Sequence, residues 1–166
     1  MTLQVPLTPE LAQAPLVAFG FDPFETRLVS IMRHFVTAAN APGSQAWHRA
    51  FIIAAENWGE AHGLAVAHTL WPVVREVLEL RSGDFSSNDP LDLDTRDLLS
   101  ADEAQFFAML HHMRRDNTAK ARDAVEALTH GQMDPDLIRA GLSFADRFPS
   151  GARQRLRGAP ALRVVG

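Results

Sequence analysis

Two Asp-Pro steps, Asp22-Pro23 and Asp134-Pro135, limit what this chain can become more than any other feature. Aspartate accepts hydrogen bonds from the free N–H groups at a helix start, and proline suits the first helical position, where no donor is needed. Behind each step, apolar residues recur at helical spacing. After Asp22 they are Phe24, Leu28, Ile31, Met32, Phe35 and Ala39, with Arg27 and Arg33 off the stripe. After Asp134 they are Ile138, Gly141, Leu142 and Ala145.

The same reading extends to the segments between. Ser44 can cap a second helix whose stripe is Trp47, Phe51, Ala54, Ala55 and Trp58, with Ile52 and Ile53 making its far side apolar too. A helix apolar on several faces is expected at the centre of its bundle. Gly59 and Gly63 bracket an end or a bend. Residues 64–81 form a third helix with Val66, Leu70, Val73, Val74, Val77 and Leu80 inward and Pro72 as a kink or a boundary. Ser100 with Glu103 is a capping box ahead of Phe106, Met109, Leu110 and Met113. Asn117 or Thr118 starts another helix, with Ala121, Ala124, Val125 and Leu128 as its stripe and Gly131 as its stop. No segment alternates as a strand would. The expected fold is all-α, a single bundle of about five to seven helices with short, antiparallel connections.

Three regions follow. Residues 1–21 are an extended arm, because Pro6, Pro9 and Pro15 interrupt any helix. The arm carries Leu3, Val5, Leu7, Leu11, Leu16, Val17, Phe19 and Phe21, so it should pack on its own body or on a partner. Residues 22–148 are the bundle domain. Residues 149–166 are a flexible basic tail, with Arg153, Arg155, Arg157 and Arg163 and no acid.

Charge and composition then remove function classes. The net charge is −4 although the tail is basic, so the body is more acidic still. That argues against a nucleic-acid footprint, which needs clustered positive charge. No apolar run approaches the roughly 18 residues of a membrane span, and the start of the chain lacks a basic leader pattern. The chain has no cysteine, which removes thiolate catalysis and Cys-ligated metals and fits the cytoplasm.

Motifs for chemistry are missing. Glu60 precedes His62 by two residues and Glu126 precedes His130 by four, neither being the three-residue step of a di-metal bundle site. Residues 82–99 are rich in acids, and Asp84, Ser86, Asn88 and Asp92 take positions 1, 3, 5 and 9 of a calcium loop. Asp89 stands where such a loop needs glycine and Thr95 where it needs glutamate, so the stretch reads as ordinary turns. No catalytic residue, metal or cofactor is assigned.

Five residues remain as a candidate pocket or interface. Trp58 and His62 share the second stripe if that helix passes Gly59. His68, Trp71 and Arg75 share the polar side of the third, with Glu79 beyond them. Tryptophan with arginine is the composition of an interface hot spot, and arginine can also grip a carboxylate. The expected function is a non-enzymatic interaction or regulatory protein, self-associating as a homodimer or binding another protein, with no nucleic acid or membrane partner. The alternative is a small-ligand or metal-binding protein with a pocket between the second and third helices, His62 as base or ligand and Arg75 as anion clamp.

Overall fold

The computed structural model describes residues 13–151 and Arg153. Six α-helices lie between Pro23 and Arg147: α1 (Pro23–Asn40), α2 (Ala46–Trp58), α3 (Glu60–Arg81), α4 (Ala101–Met113), α5 (Thr118–Thr129) and α6 (Pro135–Arg147). The chain is an all-α bundle, as its periodicity predicts. The starts are local chemistry. The Asp22 carboxylate accepts from Glu25 N at 2.9 Å while the Glu25 carboxylate accepts from Asp22 N at 2.9 Å. Ser100 and Glu103 make the same reciprocal pair, and Asp134 accepts from Asp136 N and Leu137 N, both at 3.0 Å.

One departure from the helical reading is a two-residue antiparallel pair, β1 (Ala14–Pro15) with β2 (Leu98–Leu99). It fastens the end of the arm to the loop that precedes α4. Gln13 adds two amide bonds to Asn88, and Leu16 N donates to Asp97 O. Phe19 and Phe21 then stack, and Phe21 reaches the buried Phe107. Residues 13–21 therefore pack on the body. Leu3, Val5, Leu7 and Leu11 lie outside the described residues, as do Arg155, Arg157 and Arg163 of the tail. The tail's first residues are tied down: Ser150 is buried and its N–H donates to Arg114 O, while Arg153 pairs with Asp116.

The centre of the bundle is α3, not α2. α3 packs against α1, α2, α5 and α6, and its buried face is Val66, Ala67, Leu70, Val73, Val74 and Val77. It runs unbroken through Pro72, so the proline is neither a boundary nor a start. Gly59 is the real break, with φ 83° and ψ 161°, a conformation closed to other residues. α2 packs on α1 and α3 and buries only Ala46, Ala50 and Ala54. Small side chains let the two helix backbones approach. At Gly63 a Cβ would stand 2.1 Å from the Ala54 carbonyl oxygen, so only glycine fits. Expecting α2 at the centre overlooked this: its fully buried edge is a row of alanines, while Phe51, Ile53 and Trp58 are only half-buried against the core.

Three buried arginines hold the rest. Arg33 is 3% exposed and forks onto the fully buried Glu103 at 2.8 and 3.0 Å, also donating to the Leu98, Thr95 and Arg96 carbonyls. Arg81 forks onto Asp102 and donates to Leu128 O and Asp84 O. The two acids also accept from the loop: Asp102 from Ser86 N, Glu103 from Ser87 Oγ and Asn88 N. Asp89 and Asp92 accept from backbone N–H groups two residues on. The acid-rich stretch is thus a pinned connection in which Asp89 and Asp92 serve its own turns. Arg114, the third, donates to Asp22, to the buried Glu25 at 2.5 Å and to Phe148 O, with its guanidinium 4.5 Å from the Phe24 ring centre.

Candidate functional site

The five residues singled out above divide between two places. Gly59 ends α2, so Trp58 and His62 sit on different helices. Trp58 is half-buried with its ring 5.1 Å from Phe24, and His62 is exposed and edge-on to Phe148 at 5.4 Å. Trp71 lies half-buried on Phe35 at 5.3 Å. Arg75 is exposed and pairs with Glu76 at 2.9 Å rather than with Glu79. A shallow groove of about 290 Å³ joins Trp71 and Arg75 with Leu78 and Glu79. Another, of about 530 Å³, joins Arg75 and His68 with Asp136, Arg139 and Ser143 of α6. Neither includes Trp58 or His62. His68, Trp71 and Arg75 do form one neighbourhood, and the expected histidine–arginine pocket between α2 and α3 does not assemble.

What the sequence reading missed is the outer face of α2. Because alanines make its buried edge, the large residues are left outside: Trp47 is 53% exposed and Ile52 44%. Two hollows run along this face. One, about 480 Å³, is lined by Phe35, Ala38, Ala39, Pro42, Trp47, Phe51 and Trp71, with no charged side chain. The next, about 580 Å³, has Phe51, Ile52, Ala55 and Leu64 flanked by His48, Glu56 and Glu60. Phe51 belongs to both, so the apolar surface is continuous from Trp71 to Leu64. The signal was present in the sequence as Ala46, Ala50 and Ala54, a small-residue row at four-residue steps that outranks the aromatic stripe as the packing edge.

The flank of α2 that carries Arg49, Ile52, Ile53 and Glu56 borders a wider cleft, about 720 Å³, between it and α1 and the loop. His34 is buried in its wall. Burial, and then the charge of Arg49, hold its imidazole below the usual 6.5, with Asp89 opposing. His112 is lowered in the same way, by burial and by His111, Lys120 and Arg115, with Glu25 opposing. Asp22 goes the other way in charge: burial opposes its ionisation, but the Glu25 N–H and Arg114 keep its carboxyl below 3.8.

These histidines give a testable pH dependence. Both bind protons more weakly in the folded chain than in the unfolded one, so falling pH favours unfolding. Stability should be level above about pH 6.5 and decline below it, towards the depressed folded values. Urea midpoints measured from about pH 7.5 to about pH 5 should show this slope, and His34→Gln with His112→Gln should flatten it. An unchanged slope in the double variant would assign it to other groups.

Comparison with models of known protein families gives no match, and neither does comparison with curated proteins or with solved structures. Any functional reading therefore stands on the geometry of the chain itself.

Proposed function

We propose that this protein is a non-enzymatic interaction protein that self-associates through the outer face of α2. The observation that carries the reading is the inversion of that helix. It fully buries only alanines and presents Trp47 and Ile52 outward, with the half-buried Phe51 between them, beside Trp71 and Leu64. A continuous apolar surface of this kind, rich in aromatic residues and rimmed by charge, is the anatomy of a protein interface. Trp71 beside Arg75 extends it with a hot-spot composition. No helix among the described residues is long and apolar enough to cross a membrane, so a bilayer-spanning role gives no competing account of that surface. The same reading places the protein in the cytoplasm, in keeping with a chain that has no cysteine.

Light scattering on the eluting protein tests this. The wild-type chain is expected at twice its 18.3 kDa mass, and Ile52→Asp at the mass of one chain with unchanged helicity, because Ile52 is not part of the buried core. A wild-type chain that runs as a monomer at tens of micromolar (about 10–100 μM) would overturn the reading.

A further inference from the structure

The charges along α2 are arranged antisymmetrically about Ile52. At about 100° per residue, Ile52 lies on the opposite side of the helix from the buried Ala50, with His48 and Ala55 on one flank of its line. Arg49 stands three residues before Ile52 and Glu56 four after it, and both fall on the other flank of that exposed line. Neither Arg49 nor Glu56 enters an ion pair among the described residues, in contrast to Arg33, Arg75, Arg81, Arg114, Arg115, Arg139 and Arg153.

We propose that the partner on this face is a second copy of the same chain, its α2 packed antiparallel about a two-fold axis at Ile52. The inference rests on the self-association reading and adds to it an orientation, a register and the residues that set them. A two-fold axis perpendicular to both helices reverses direction but keeps each flank on the same side. Arg49 then faces Glu56 of the other copy, offset by about one residue's rise of 1.5 Å, and Glu56 faces the other copy's Arg49. Ile52 meets Ile52, and on the opposite flank Phe51 lies about equally near Phe51 and Ala55 of the other copy. A parallel two-fold pairing would instead carry Arg49 and Glu56 of the two copies to opposite flanks, where neither meets an opposite charge. The charge distribution therefore favours antiparallel self-pairing, which alone brings the opposite charges together.

Charge exchange tests the register. Arg49→Glu alone and Glu56→Arg alone each place two like-charged pairs in the interface, and each should weaken self-association about tenfold or more. Mixed in equal amounts, the two variants should form a heterodimer of wild-type strength, identifiable by native mass spectrometry because their masses differ. The doubly exchanged chain, Arg49→Glu with Glu56→Arg, should again form a homodimer. Since the chain has no cysteine, Ile52→Cys should cross-link across the axis under mild oxidation. Gln45→Cys should not, its copies standing about 20 Å apart. A wild-type chain that is monomeric removes the self-association reading itself. A dimer that ignores both single exchanges, or single exchanges that neither the mixture nor the double variant repairs, overturns this pairing while leaving self-association in place.

Discussion

Arg33→Met should lower stability by about 3–5 kcal/mol, the cost of removing one partner from a buried ion pair. Glu103 is fully buried, and its carboxylate would keep only neutral donors: Ser87 Oγ, Asn88 N and Ser100 N. Three carbonyls of the loop, at Thr95, Arg96 and Leu98, would lose their guanidinium at once. The loss should thus have a local signature. Amide exchange over residues 86–98 should quicken well before the helices open, and urea unfolding should report the global loss. Arg33→Met with Glu103→Leu should recover only part of it. An apolar pair can replace a buried ion pair, but Glu103 also closes the capping box of α4 and anchors the loop. Full recovery in the double variant would show that the loop is held by β2 and not by the acid.

Gly63→Val should cost about 3 kcal/mol or more by overpacking, and a Tm shift of about 6–12 °C. The clash is with backbone: a Cβ meets the Ala54 carbonyl oxygen at 2.1 Å and its carbon at 2.4 Å. A rotamer change cannot relieve it, so α2 must move off α3. Gly141→Ala makes a useful control. There the Cβ would meet the flexible end of Met113, with its sulfur at 2.7 Å, and that side chain can yield. Thermal unfolding that ranks Gly141→Ala as the more damaging change would refute the view that the α2–α3 contact is a backbone contact.

The contrast between these sites explains what could be read in advance. Helix starts at Asp22, Ser100 and Asp134 act within four residues, so the sequence shows them directly. The valine face of α3 is equally local. Arg33 is different: it falls off the apolar stripe of α1 and looks solvated, yet it is 3% exposed because its partner lies 70 residues away. Arg114 and Arg115 make sense locally as positive charge at a helix end, and nothing nearby announces Asp22 and Glu25. Of the candidate surface, Trp71 and Arg75 are one helical turn apart and stay together. Trp58 and His62 have the same spacing, but the left-handed backbone at Gly59 parts them. Apolar residues on several faces, with Ile52 and Ile53 beyond the stripe, point to a central α2, whereas its fully buried edge is Ala46, Ala50 and Ala54.

Arg114 sets an order on synthesis. Its guanidinium closes the start of α1, at Asp22 and Glu25, against the end of α6, at Phe148. A ribosome adding about 5–20 residues per second makes Glu25 several seconds before its arginines exist. Until then the Glu25 carboxylate lacks both arginines that pair with it in the buried site it will occupy. The nascent chain must therefore keep that end of α1 in water while α2 and α3 emerge. That end of α1 is therefore expected to be among the last parts of the bundle to be buried.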